Sequence, residues 1–160
     1  MSFQRAVAFV LARETGTLTQ DPNDPGGLTR WGIALARHPE LTADDIRNMT
    51  PQRAADIYHG PQYWGAVKGD QLPERLQLPM LDTAVVEGPR EAIRCLQRAL
   101  FVRDDGVLGP ETLNAAARAN ADPVIQRFCA ERIWTLSQLK TWSRDAVGWS
   151  ARIVASAMET

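Results

Sequence analysis

Residues 12–34 read ARETGTLTQDPNDPGGLTRWGIA, and the fold turns on how this run is taken. It sets one Glu, two Asp, two Pro, an adjacent pair of Gly and a Trp between two apolar segments. Pro22, Pro25, Gly26 and Gly27 exclude a regular helix or strand where they stand, since proline lacks a donor N–H and glycine gains nothing from a regular backbone. Upstream, Phe3, Ala6, Val7, Val10 and Leu11 follow helical spacing, with Ser2 as the expected cap. That helix runs out near Glu14 and Gly16. Downstream, Leu28 to Ala34 reads as a short extended piece. The stretch is therefore a stiff polar break, either a surface loop or a site held open.

The rest of the chain is punctuated for helices. Thr50-Pro51 reads as a cap and a first helical residue. Pro79 opens PMLDTAVVEG, which stops at Gly88, and Pro89 opens the next helix. RDDG is a turn by composition, with Gly106 free to take a positive φ. Pro110 opens a further helix. Asp122 as cap and Pro123 as first residue begin one whose apolar stripe is Val124, Ile125, Phe128, Cys129, Ile133, Leu136 and Leu139. A last helix is expected to start near Trp149, and Trp134 and Trp142 are expected to pack. The sum is a mostly α chain of about seven short helices with a small β element near residues 17–34. Two lobes are expected, 1–75 and 76–160, packed as one compact unit.

At 160 residues, with 44% hydrophobic residues, the chain has enough apolar material for a real core. A net charge of −1 argues against nucleic acid as partner, because phosphate binding needs a surplus of Lys and Arg. No apolar run approaches the ~20 residues that span a bilayer. AVAFVLA is followed at once by Arg13 and Glu14, without a small-residue cleavage site, so no signal peptide is expected and synthesis is assigned to the cytoplasm. Cys95 and Cys129 are too few for a disulfide framework and read as two buried free thiols, a bridge between them being the lesser option. Cys95, His38 and His59 have no metal-ligand spacing, and neither metal nor cofactor is expected. A monomer is expected.

The opening stretch also carries chemistry. Glu14 closes a helix whose other face is apolar, so its carboxyl is partly shielded, the environment a general acid needs. Asp24 lies ten residues on, in a loop stiffened by prolines, where a carboxylate stays ionised. An acid and a carboxylate across a groove are the pair used in glycoside hydrolysis. Thr29 can hold a water or orient a carboxylate through its hydroxyl, or simply serve turn chemistry. Trp31 can stack on a sugar with its indole N–H free, or pack beneath the loop. Tyr63 and Trp64, between Gly60 and Gly65, form a second aromatic patch with the same two roles.

The string ETG…DPNDPGGLTRWGI resembles the opening motif of glycoside hydrolase family 108, the muramidase-type endolysins, in which Glu-Gly-Gly precedes Asp-Pro-x-Asp-Pro-Gly-Gly-x-Thr-x-x-Gly-Ile. The resemblance implies a lysozyme-like fold, Glu14 as catalytic acid and peptidoglycan as substrate, cut at the β-1,4 bond between N-acetylmuramic acid and N-acetylglucosamine. It also implies action at the cell wall, in the periplasm, after release by a separate membrane-lesion protein. The spacing of fifteen from Glu14 to Thr29 resembles the Glu/Asp/Thr triad of phage-type lysozymes. On that comparison the middle position falls on Asn23, with Asp24 one step away and Asp21 in reserve. Asp24 is favoured, because only a carboxylate serves as base or nucleophile. Thr15 departs from the family's Gly.

A second string, AIRCLQRALFVRDDGVLGPETLNAA, is similar to the peptidoglycan-binding module signature, with Leu96, Leu100 and Leu113 as helix-packing positions. LDTAVVEGP resembles the start of this region in family 108, with Val86 where an Asn is common, and GWSARI resembles the family's closing Gly-Trp…Arg element. Two other readings stay open: a wall-binding protein without activity, and a lytic transglycosylase, which needs a single acid and forms an anhydro sugar. A retaining or inverting course depends on a carboxyl separation of ~5 Å or ~6.5–9.5 Å.

Overall fold

The computed structural model describes residues 3–20 and 26–160. The expected cap Ser2 and the candidates Asp21, Asn23 and Asp24 lie outside the described residues. Helix α1, Phe3–Arg13, buries Ala6, Val7, Phe9 and Val10 on one face, as its spacing requires. Strands β1 (Thr19–Gln20), β2 (Leu28–Arg30) and β3 (Ile33–Ala34) form a small antiparallel sheet in chain order. Thr29 pairs with both Thr19 and Ala34. The expected β element is thus a three-stranded sheet on the rim of a helical body.

Then follow α2 (Ala43–Arg47), α3 (Pro51–His59), α4 (Glu74–Val86), α5 (Pro89–Ala99), α6 (Pro110–Arg118), α7 (Ala121–Ser137) and α8 (Trp142–Met158). Among the described residues there are eight α-helices, one more than the seven or so expected. The additional one, α2, is set by a capping box: Thr42 Oγ1 accepts from the Asp45 N–H, and the Asp45 carboxylate accepts from the Thr42 N–H. Thr50 caps α3 as expected, its hydroxyl oxygen accepting from the Arg53 N–H at 3.1 Å.

Three helix starts differ from the sequence expectation. Helix α4 begins at Glu74 and runs through Pro79. An interior proline costs about 3 kcal/mol, but the extra turn buries Leu76 and Leu78 almost completely, and each fully buried Leu contributes about 1.5–3 kcal/mol. Helix α7 is capped by Asn120, whose side chain accepts from the Asp122 N–H. Pro123 then falls in the first turn, where the missing N–H is unpaired in any case. Helix α8 begins at Trp142. Trp134, expected to pack, is 61% exposed, and the buried stripe of α7 runs through Arg132 instead of Ile133.

Two apolar clusters meet on α4. Leu78, Leu81 and Val85 join Val7, Val10, Ile33, Tyr58 and Trp64 on one side. Leu76, Met80 and Ala84 join Leu96, Val124, Ile125 and Phe128 on the other. A helix apolar all round belongs in a core, yet this one carries Asp82, fully buried. Its two oxygens are each taken: Oδ2 accepts from Arg132 Nη1 at 3.1 Å, and Oδ1 from Arg152 Nε at 2.8 Å. Arg132 Nε also donates to Glu87 Oε1 at 2.8 Å. Burial raises the Glu87 pKa, more strongly than the Arg132 charge lowers it, and its Oε2 is buried without a partner. Both thiols are free, Cys95 buried and Cys129 partly so, and burial pushes the Cys95 thiol up to about 12. No helix of the described residues is long and apolar enough to cross a membrane.

Removing Asp82 leaves two guanidinium groups short of their partner, so Asp82→Ala should lose about 3–5 kcal/mol in urea unfolding. A loss under ~1 kcal/mol would show the network to be energetically idle. The raised pKa of Glu87 gives a second expectation. A raised folded-state pKa contributes stability below the ordinary value of 4.5 that is lost as pH rises through the folded value. Wild type should therefore lose Tm relative to Glu87→Gln between pH 4.5 and neutrality, whereas parallel melting curves would refute it.

Candidate active site

Glu14 follows directly on α1, its N–H still donating to the Val10 carbonyl at 2.9 Å. The helix thus fixes its backbone, while the chain turns toward the sheet at Gly16. The Glu14 side chain is 20% exposed. It lines a cavity of about 260 Å³ together with Thr29, Gly32, Arg37, Val86 and Arg152. The sheet forms one wall, the end of α4 the second and α8 the third. A roomier hollow of about 470 Å³ beside Ile125, Val154 and Met158 also holds an acid and a base, Asp122 and Arg75, but their ion pair is exposed to solvent, unlike that of Glu14.

The carboxyl of Glu14 is held from two directions. Arg152 Nη1 donates to Oε1 at 2.8 Å. Arg152 is in turn fixed by Asp82, so a charged chain runs from the core to the cleft. Burial works against the Arg152 charge, but the Asp82 and Glu14 carboxylates outweigh it and raise its pKa. The other direction is the β2–β3 turn. Arg30 pairs with Ile33, leaving Trp31 and Gly32 as a two-residue loop with φ of 52° and 73°. Two positive φ values give the tight turn whose twist suits a hairpin, although tryptophan is an unusual first residue for it. The strain is met by contacts. The Trp31 N–H donates to Thr15 O at 3.1 Å, and the Tyr58 hydroxyl donates to Trp31 O at 2.8 Å. The indole lies where a side chain on Gly16 would stand. Arg30 clamps the same turn through Nε to Gly16 O at 2.9 Å and Nη1 to Arg47 O. Burial pushes the Tyr58 hydroxyl far above its ordinary value, so it remains a donor.

Gly32 is required here for space as well as for φ. A Cβ on it would collide with the Tyr58 hydroxyl and stand 2.9 Å from the Glu14 carboxyl carbon and Oε2. Oε2 is therefore the oxygen beside the turn, while Oε1 is engaged by Arg152.

The structure brings Glu14 and Thr29 to one cavity. Thr29 Oγ1 donates to Gly27 O at 3.1 Å, leaving its lone pairs toward other partners. Trp31 stands at the turn, half-buried, with its indole N–H buried and unpartnered. Tyr63 and Trp64, expected as a sugar-facing patch, are instead enclosed in the core at 8% and 2% exposure. The Tyr63 hydroxyl meets His38 Nε2 at 3.0 Å, and Trp64 packs edge-on to Phe3. Gly60 and Gly65 on either side allow a tight fold of the chain, which draws the rings inward. Arg152 was not singled out from the sequence, although GWSARI contains it. Asp82 was not singled out either, although it is the one charged residue between Leu78 and Val86. Among the described residues, no group of three or more His, Cys, Asp or Glu is placed to hold a metal ion.

An acid on a cleft wall, in a mostly helical body with a small rim sheet, is an arrangement that suits glycoside hydrolysis, and comparison with known proteins gives the class: a glycoside hydrolase of lysozyme-like fold. The model of the family described as Glycosyl hydrolase 108 matches residues 7–88, and the chain belongs to that family. A solved structure titled "Structure of Brucella abortus SagA" is similar over 98% of this chain and 91% of that one, with 34% identity and a TM-score of 0.87. No curated protein matches the sequence. The family match covers α1 to α4 and the sheet; Arg152 lies beyond it, within the span shared with SagA.

Replacing Gly32 by Ala should displace the Glu14 carboxyl and strain a left-handed position. We expect a stability loss of about 1–3 kcal/mol and at least a tenfold loss of glycan hydrolysis. Full activity in the folded variant would mean that the placement of Oε2 beside the turn is immaterial.

Proposed function

We propose that the chain is a peptidoglycan hydrolase that cuts the β-1,4 bond between N-acetylmuramic acid and N-acetylglucosamine, with Glu14 as general acid. The observation that carries this reading is the position of Glu14: a shielded carboxyl on the wall of a cleft, with one oxygen tied to Arg152 and the other facing the turn. Since an Arg N–H donates to Oε1, the proton to be delivered rides on Oε2. It passes to the bridging oxygen as the bond to the anomeric carbon breaks, and water supplies hydroxide to that carbon. Asp24 is the proposed carboxylate that activates this water or attacks the carbon itself, and Thr29 the proposed hydroxyl that orients it. Arg152 is a positioning residue acting through Glu14. Trp31 is the proposed sugar contact; Tyr63 and Trp64 act by packing. The family membership supports a glycosidase, and the ordered opening motif supports peptidoglycan. We further propose that the protein acts at the cell wall, as an endolysin does, and that residues 76–160 contribute wall recognition as well as Arg152.

The test is turbidity clearance of purified peptidoglycan with mass spectrometry of the released sugars. Glu14→Gln should lose more than about a hundredfold in rate while keeping its melting temperature, and wild-type products should carry reducing ends. Normal clearance by that variant would remove Glu14 from the mechanism. Asp24→Asn separates two courses: loss of activity supports hydrolysis by the pair, whereas full activity with anhydro products would indicate a transglycosylase. Binding to sacculi without clearing would leave a wall-binding protein.

A further inference from the structure

Among the described residues, the cavity at Glu14 is lined by more cationic than anionic side chains. Of the described residues on its wall, Glu14 is the acid, and Arg37 and Arg152 are the bases. Arg152 is committed through Nε to Asp82 and Nη1 to Glu14. Its remaining nitrogen, Nη2, is buried and has no hydrogen-bond partner. Closed to solvent, Nη2 is out of a ligand's reach, so Arg152 adds its charge to the cavity and not a further contact.

Arg37 differs from Arg152 in being uncommitted. It closes the short 3₁₀ turn Leu35–Arg37 that follows β3, is exposed, and has neither a hydrogen bond nor an ion pair to any described residue. Among the described residues its side chain is bound to nothing, and it stands on the wall that holds Glu14. Val85 and Val86 line the same cavity, and an apolar wall reduces screening of a charge inside it. A neutral sugar can accept hydrogen bonds from Arg37 through a hydroxyl or an acetamido oxygen, but gains nothing from its charge. A carboxylate gains from both, since guanidinium groups match its geometry and charge.

We propose that Arg37, beside the charge of Arg152 on the same cavity wall, is a specificity-determining site for a substrate carboxylate. The cleft thereby selects a β-1,4 glycan bearing lactyl or peptide carboxylates over a neutral N-acetylglucosamine polymer. This rests on the glycosidase reading given above and adds to it the charge of the preferred chain.

The experiment compares wild type, Arg37→Gln and Arg37→Lys on three solubilised glycans. These are peptidoglycan with its stem peptides, the same material with its carboxyls blocked by carbodiimide coupling to methylamine, and amidase-stripped strands carrying the free lactyl carboxylate. The readout is the ratio of kcat/KM on each anionic glycan to that on the blocked one. Wild type should favour an anionic glycan, and Arg37→Gln should lower that ratio about five- to tenfold, mainly through KM. Arg37→Lys should keep most of the ratio, and the wild-type preference should shrink with added salt. Preference on intact strands assigns the carboxylate to the stem peptide; preference on stripped strands alone assigns it to the lactyl group. If wild type favours neither anionic glycan over the blocked one, or Arg37→Gln leaves both ratios unchanged, the proposal is overturned while the glycosidase stands. If wild type cleaves none of the three, the glycosidase reading falls and the proposal with it.

Discussion

The double ion pair of Asp82 organises this molecule. A carboxylate sealed inside an apolar helix is untenable unless both oxygens are met, and here two arginines from two later helices meet them. Each arginine then has donors left over. Arg132 uses one on Glu87, and Arg152 uses one on Glu14. Buried ion pairs of this kind are weak sources of net stability, because desolvation offsets much of the attraction. Their use is geometric. They fix where α7 and α8 sit against α4, and they bring a guanidinium to the cleft at one defined height. The raised pKa of Glu87 fits the same frame: three acids share two bases, and the acid with a spare buried oxygen is the one driven toward its neutral form.

The second support of the cleft is the strained turn at Trp31 and Gly32. Its cost is met by the Tyr58 hydroxyl, by the carbonyl of Thr15 and by the face offered at Gly16. Arg152 holds one Glu14 oxygen, and the turn bounds the other. The acid is thus held between a charged anchor that reaches into the core and a hairpin with no room for a side chain.

Much of this scaffold was legible in the sequence, because its signals are local. Thr50-Pro51, Pro89 and Pro110 open helices where a proline's missing N–H does no harm, and Gly106 turns at positive φ as its place in RDDG requires. Glu14, at the end of an amphipathic helix and ahead of a stiff loop, could be picked out the same way. Two of the three misread starts share one cause. Proline was taken as a first residue at 79 and 123, whereas burial of Leu76 and Leu78 and capping by Asn120 move both helices upstream. Tyr63 and Trp64 could not be placed from residue type, since an aromatic between glycines suits a core as well as a surface. The Glu14–Arg152 pair was beyond local reading, because nothing near either residue names the other.

That pair joins positions 138 apart in the chain. The acid is translated before helices α2 to α7, and its guanidinium partner emerges only after them. A nascent chain stopped between residues 14 and 152 carries the acid but lacks its anchor. The order of translation thus acts as a timer on the assembly of the cleft, and truncation of α8 from the far end would undo at a distance what the first helix sets up.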